Sequence, residues 1–169
     1  EPRNYSAERF ELAIDRAGLF DVEWAGVPRH LSYGLYAWIG GAHDPLAIYQ
    51  QADDKQTGSL LSGRIGAALG ASIALFDWVQ VGAELPIIVY QLRDTNVTGV
   101  AGPLANINKP GVGDLRVVPK IRILRQADQV IDLAIIPVLT FPTAPGGSYF
   151  GNDTVTFSPQ LAVSHAFGP

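Results

Sequence analysis

The chain has no cysteine, no methionine and no long apolar run. Without cysteine it cannot form a disulfide, bind a metal through thiolates or use a thiol nucleophile. Without methionine, Glu1 is not a translation start, so we expect that the natural chain was processed and that a secretory signal was removed. Hydrophobic residues make up 47% of the sequence, yet no run of about 18 apolar residues occurs, so we expect no transmembrane helix.

Length and charge further limit the kind of protein that this chain can be. A chain of 169 residues predicts one domain. The net charge is −4 and the pI is near 5.2, so the chain lacks the basic field that binds nucleic acid, and we expect no nucleic-acid partner. The 18 glycines and 12 prolines fit a β-protein with many turns.

An alternation of apolar and polar residues dominates the stretch 114–141. Odd positions are apolar from Leu115 to Ile123 and again from Ile131 to Phe141, whereas even positions include Arg116, Lys120 and Arg122. Period two is typical of β-strands, because successive side chains point to opposite faces of a sheet. Soluble strands cluster at about 5–6 residues, and a strand that crosses a membrane needs roughly 9–11. These two segments are long enough to cross.

The same alternation recurs along the chain and predicts an all-β fold. We expect an antiparallel, up-and-down transmembrane β-barrel with six strands in this chain, at about 30–41, 60–75, 78–91, 114–125, 129–141 and 154–167. Residues 1–29 are predicted to form an N-terminal arm, with a possible short helix over residues 7–12, that packs on or inside the barrel as a plug. Residues 30–169 form the barrel part.

The two faces of the predicted strands differ in charge. Even positions hold both signs, so we expect a lumen charge network in which Glu84 lies between Arg64 and a basic row on the fourth strand. Its members are Arg64, Glu84, Asp114, Arg116, Lys120, Arg122 and Asp132. Odd positions are apolar and predict a lipid-facing belt that includes Leu69, Ile73, Val81, Leu85, Ile121, Leu133, Ile135 and Leu161.

The connections alternate between long polar loops (42–59, 92–113 and 142–153) and short turns at Phe76-Asp77 and 126–129. Outer-membrane barrels have this asymmetry, with long external loops and short periplasmic turns. It predicts a periplasmic N-terminus and extracellular long loops. Aromatic residues near strand ends are compatible with interfacial girdles. Four prolines lie inside predicted strands, at positions 86, 119, 137 and 159. We expect bulges there, or prolines at the membrane boundary.

Several segments together carry a family resemblance. They are Tyr33-Gly34-Leu35-Tyr36, Asp44-Pro45-Leu46, Leu85-Pro86-Ile87-Ile88-Val89-Tyr90-Gln91, Gly113-Asp114-Leu115-Arg116, Thr140-Phe141-Pro142-Thr143 and Thr156-Phe157-Ser158-Pro159. The chain resembles the N-terminal barrel of bacterial, mostly myxobacterial, outer-membrane proteins that carry thrombospondin type-3-like repeats and an OmpA-like domain. The resemblance implies a barrel rather than an activity. The sequence departs from the pattern at its C-terminus, since neither the repeats nor the OmpA-like domain lies within these 169 residues.

Six strands would leave two open edges, and open edges do not occur in lipid. We therefore expect more polypeptide to complete the barrel. The candidates are a further segment of the same gene product, a separate chain made by cleavage, or a second copy.

No catalytic or metal-ligating pattern is visible, so we predict a non-enzymatic protein without cofactors. His30, His43 and His165 are far apart and have no metal-ligand spacing. Asn152-Asp153 next to Gly151 fits a turn better than a Ca²⁺ site. No Gly-x-Ser-x-Gly elbow occurs.

The sequence thus predicts a structural outer-membrane module of the Gram-negative envelope. It would anchor the protein in membrane lipid and present extracellular loops and attached periplasmic domains. Two alternatives stay open: a porin-like pore for small solutes with a charged lumen, and a soluble lipocalin-like binder with the apolar face inside. Small inner residues on the second strand beside long cations on the fourth favour a filled lumen, and hence the anchor.

Overall fold

The structure is a computed structural model that describes residues 11–15, 18–19, 21–50, 55–92, 110–144 and 150–167. These residues form an all-β fold, and no helix occurs among them. The described part of the chain therefore has no helix long and apolar enough to cross a membrane.

The described residues form one antiparallel sheet of seven strands. The strands are β1 (Tyr33–Gln50), β2 (Lys55–Phe76), β3 (Val79–Leu92), β4 (Gly111–Val112), β5 (Leu115–Leu124), β6 (Asp132–Phe141) and β7 (Thr156–Ser164). Their order in the sheet is β1-β2-β3-β5-β6-β7, and the short β4 pairs with β3. No pairing joins β1 to β7 among the described residues, so the sheet is open and these two strands are its edges.

The predicted assignment of residues to the two faces agrees with the burial along most of the sheet. Even positions of β2, β3, β5 and β6 are mostly buried, including the charged side chains of Arg64, Glu84 and Lys120, whereas those of the edge strands β1 and β7 are mostly half-buried or exposed. Odd positions are apolar and largely exposed, for example Leu35, Leu69 and Leu161. We call the buried, even side the inner face and the exposed, apolar side the outer face.

The first hairpin corrects the predicted loop at 42–59. Strand β1 continues to Gln50 and β2 already begins at Lys55, so most of this polar stretch is paired backbone. Ladder hydrogen bonds use the backbone, and polar residues can therefore make them. The ladder accommodates the turn-forming residues through three register shifts between His43 and Tyr49 and through the positive φ of Asp44, which is +48°. The connection itself, 51–54, lies outside the described residues.

A bulge also corrects the predicted orientation of Tyr90. The β2–β3 register shifts between Ile65 and Gly66, which pair with Tyr90 and Ile88 and leave Val89 as the extra residue. A bulge of one residue reverses the faces beyond it. Tyr90 is therefore exposed, and Gln91 is the buried residue opposite Arg64.

Other strand limits differ modestly from the prediction. Strand β6 begins at Asp132 rather than at 129, because residues 126–131 form the turn. Strand β7 spans only Thr156–Ser164, and His30 lies in a turn before β1. The pairing of β4 with β3 was not predicted, since Gly111-Val112 lay inside an expected loop.

Two of the strand prolines meet across one ladder. Pro137 of β6 lies opposite Pro159 of β7 on the outer face. Pro119 lies where the β5–β6 ladder is interrupted, between the pairs Val117↔Leu139 and Ile121↔Ile135. A proline has no N–H to donate to a ladder, and the interruption in β5–β6 is the local consequence.

Candidate functional site

The inner face of β5 contacts the described part of the N-terminal arm, which comprises residues 11–15, 18–19 and 21–29. Arg116, Lys120 and Arg122 all point inward from this ten-residue strand, and each of the three contacts a different part of the arm. The predicted helix over 7–12 lies mostly outside the described residues, and the described arm residues include no helix.

Lys120 lies at the centre of these contacts and is 0% exposed. Its Nζ forms ion pairs with Asp15 and with Glu23, the latter at 2.7 Å from Oε2. The other Glu23 oxygen accepts the backbone N–H of Ile14 at 2.8 Å. Burying an ammonium group is tolerated only where opposite charge surrounds it. The two arm carboxylates supply that charge.

Arg116 makes the second attachment, four residues before Lys120 on β5 and nearer the long loops. Its Nε lies 3.2 Å from the Glu11 carboxylate, and its Nη1 donates to the Leu12 carbonyl at 3.0 Å. The same Nη1 is 3.6 Å from Oε2 of Glu84. The guanidinium therefore links the arm to β3 as well.

Arg122 makes the third attachment, near the β2–β3 turn. Its Nη1 donates to the Val27 carbonyl at 3.4 Å, and its Nη2 donates to the carbonyl of Asp77. The three cations together fix the arm at Glu11–Leu12, at Asp15 and Glu23, and at Val27.

Apolar contacts complete the attachment of the arm. Ile14 is 1% exposed and packs directly on Gly82 of β3, where a Cβ would lie 2.8 Å from that of Ile14. Ala25 is buried in a core that also contains Val118, Ala134, Ile136, Val138 and Ala162. The backbone N–H of Ala25 donates to the Ser164 hydroxyl at 3.3 Å. The arm thus contacts the inner face from β3 to β7.

The two remaining acids of the predicted network, Asp114 and Asp132, accept hydrogen bonds from backbone N–H groups in the connections between strands. Asp114 accepts the backbone N–H of Ala144 at 3.1 Å and that of Asn152 at 2.6 Å, on both sides of the β6–β7 loop. Asp132 accepts the N–H of Gln126 at 3.0 Å in the β5–β6 turn. Both carboxylates hold loop backbone.

One predicted neighbour relation is wrong. Glu84 lies opposite Gly70 in the register, whereas Arg64 lies opposite Gln91. Gly70 and Arg64 are six positions apart on β2, which is roughly 20 Å at about 3.3 Å per residue. Of its two predicted neighbours, Arg64 and the basic row, Glu84 contacts the basic row, through Arg116.

The predicted belt residues lie together on the outer face. Ile121, Ile135 and Leu161 form a row across β5, β6 and β7, and they are 38%, 41% and 67% exposed. The other rows pair Leu69 with Leu85, Ile73 with Val81, and Leu133 with Val163. This burial is the reverse of what a lipocalin-like binder requires, in which the apolar face is inside.

Two larger cavities and a smaller one of about 100 Å³ border the described residues of the arm. One, of about 430 Å³, is lined by residues that include Trp24, Val27, Ser72 and Gln80. The other, of about 230 Å³, is lined by polar groups that include Glu84, Arg116, Thr140, Thr156 and Ser158. Gly82, under Ile14, lies between Gln80 and Glu84 on β3. Ile14 therefore packs at the level between the two cavities.

The structure brings no two of the three histidines together. His30 stacks on Phe76, His43 lies 3.4 Å from Asp44, and His165 contacts Phe167 and the Val130 carbonyl. No group of three or more potential metal ligands occurs in the part of the chain that the structure describes.

Comparison of the chain with models of known protein families, with curated proteins and with solved structures found no significant match.

Sequence reasoning missed Asp15 and Glu23 as partners of the basic row. A charge count could have indicated them. The predicted network has four cations but three acids, and two of those acids, Asp114 and Asp132, stand at strand ends. The arm residues 11–23 contain four acids, at positions 11, 15, 21 and 23. A buried basic row without enough strand carboxylates must find them elsewhere.

Proposed function

We propose that this chain is part of a transmembrane β-barrel of the bacterial outer membrane, and that it serves as a membrane anchor and scaffold. One observation carries the proposal. The outer face is apolar and exposed or half-exposed across all the main strands, whereas most charged side chains of the inner face are buried, those of β5 against the arm. Water disfavours an exposed apolar surface of this extent, and the hydrocarbon core of a membrane accepts it.

The proposed orientation follows from the connections. The β2–β3 and β5–β6 turns are short and would face the periplasm together with the arm. The long first hairpin and the β3–β5 and β6–β7 connections would face outward. The barrel would present these loops at the cell surface and any attached domains in the periplasm. This arrangement agrees with the family resemblance of the sequence.

The proposal requires a partner for the two edges. Strand β1 runs towards the long-loop end and β7 runs back, so an even number of additional antiparallel strands can join them. A further segment of the same gene product, a cleaved chain or a second copy could supply these strands. Unpaired backbone groups in lipid cost several kcal/mol each, by rough estimate, so we expect no open form in the membrane.

The filled inner face favours the anchor over an open pore. The arm occupies the basic row of β5, and Ile14 packs between the two inner cavities. We expect the resting protein to conduct no steady current across a planar bilayer.

A charge placed on each face tests the proposal. Ile135→Arg puts a cation on the outer face, where it should cost roughly 2–4 kcal/mol at mid-membrane and prevent insertion. The matched control is Gln160→Arg, on the exposed inner side of the adjacent strand, which should insert normally. Normal recovery of Ile135→Arg in outer membranes would contradict the proposal.

A further inference from the structure

We propose that the arm is a releasable plug, and that its release turns the barrel into a pore that prefers small anions. This inference rests on the proposed membrane function and adds an activity to it. The observations behind it are the way the arm is attached, the chemistry of the surface beneath it and the charges that remain when it leaves.

The arm can leave without breaking the sheet. Its described residues pair with no strand, and their one bridge, Leu19↔Val22, is internal to the arm. The polar contacts to the inner face are made chiefly by side chains of a single strand, β5, through Arg116, Lys120 and Arg122. Separating these groups from the arm leaves every ladder intact.

Part of the inner surface is polar and suited to water once it is uncovered. Ser72, Gln80 and Glu84 lie under or beside the arm, and Ser158 and Gln160 on β7 are already exposed. Ile14 packs between the two cavities. Its withdrawal would join them into one passage along the inner face, in which these polar groups lie beside the apolar patch of Val118, Ala134 and Ile136.

The charges predict which ions would pass. The arm takes three acids with it, Glu11, Asp15 and Glu23, and β5 keeps its three cations. Asp114 and Asp132 remain engaged with loop amides. Glu84 would then be the acid nearest the basic row, so the passage would carry an excess of positive charge. A ring or row of Arg and Lys favours anions.

Lys120 is the contact on which closure depends, because two buried carboxylates converge on it. Asp15→Asn with Glu23→Gln should release the arm while leaving all β5 cations in place. Removing the partners of a buried charge is strongly unfavourable for the closed form, and we expect the open fraction to rise by about 100-fold or more. The control is Asp21→Asn, which removes an exposed acid of the same arm.

Because the sequence has no cysteine, one engineered disulfide can hold the arm on the sheet without competition from other thiols of this chain. Ala25 and Ser164 are in hydrogen-bond contact, so Ala25→Cys with Ser164→Cys should tie the arm to β7.

The protein is extracted from membranes together with any polypeptide that completes the barrel, and its single-channel current is recorded in a KCl gradient. In the Asp15→Asn/Glu23→Gln background, the oxidised protein should be silent, and reduction should produce channels with an anion-selective reversal potential. The Asp21→Asn protein with the same cysteine pair should stay silent in both states.

The outcomes separate the two proposals. Failure of the unaltered protein to enter membranes would overturn the membrane function itself. Inserted protein that stays silent after reduction, or conducts equally when oxidised, would overturn the plug, and a cation-selective current would overturn the anion preference. Should the double variant not assemble, Glu23→Gln alone keeps the Asp15–Lys120 pair and should give a smaller, still reducible opening. A silent Glu23→Gln protein in the reduced state would equally overturn the plug.

Discussion

The Tyr36 hydroxyl donates a hydrogen bond to Oε2 of Glu84 at 3.3 Å, although the two residues lie on strands that are not neighbours. Gly70 of β2 lies between them in the register. A Cβ at position 70 would lie 2.0 Å from Cζ and 2.3 Å from the hydroxyl oxygen of Tyr36, so the phenol crosses β2 only because this position is glycine. Glu84 then continues the row through Arg116 and Thr140 to Thr156 on β7.

This relationship predicts that Tyr36 and Gly70 act together. Tyr36→Phe should lower the free energy of unfolding by about 1.5–3 kcal/mol, because it removes a hydrogen bond to a charged acceptor. Gly70→Ala should displace the ring and break the same bond. The double variant should therefore lose clearly less than the sum of the single losses. Urea titrations followed by gel mobility measure each value, and strict additivity would contradict the contact.

The contact of Ile14 with Gly82 predicts a rescue. Gly82→Ala should force Ile14 off the inner face and destabilise the seated arm by about 1–3 kcal/mol, as overpacking does. Adding Ile14→Ala should recover part of that loss, because the smaller side chain leaves room for the new methyl group. The readout is maleimide labelling of Ala25→Cys, a buried position. Labelling should be fast in Gly82→Ala and slower in the double variant.

Equal labelling rates for Gly82→Ala and the unaltered glycine would mean that Ile14 is not seated on β3. The Ala25→Cys protein without further changes provides the baseline for both comparisons.

The hydrogen bonds of Asp114 predict that its carboxylate holds the β6–β7 loop in place. Asp114→Asn removes the charge that accepts the amides of Ala144 and Asn152. Hydrogen bonds to charged groups contribute about 1.5–3 kcal/mol, so the loop should be cut faster by an added protease while the barrel stays intact. Asp128→Asn, at an exposed position of the β5–β6 turn, is the control. Unchanged loop cleavage in Asp114→Asn would show that the carboxylate does not hold it.

The strands and their two faces could be predicted from the sequence because period two is a local signal. Each of the six predicted strands corresponds to a strand of the sheet. The departures occur where pairing, rather than side-chain pattern, decides the structure. Residues 42–50 pair despite their polarity, and the bulge at Val89 reverses Tyr90 and Gln91. Both depend on the register with a partner strand, which a single strand's pattern does not contain.

The inner face was less predictable than the outer one. The alternation of faces along β5 predicted that Lys120 and Arg116 point inward, but their partners lie 97 to 105 residues away in the arm. Irregular segments carry no period that fixes their position. Only the shortage of strand carboxylates beside the basic row pointed to acids elsewhere in the chain.

The central claim is that this chain is part of a membrane barrel closed by further polypeptide. The most direct measurement is the gel mobility of detergent-extracted protein, unboiled against boiled, with the intact mass of every band. We predict a compact unboiled band in the membrane fraction that boiling splits into this 18.1 kDa chain and a second polypeptide, or into two copies; where the closing strands belong to the same polypeptide, one longer chain should shift. Protein in the soluble fraction whose mobility does not change on boiling would contradict the account.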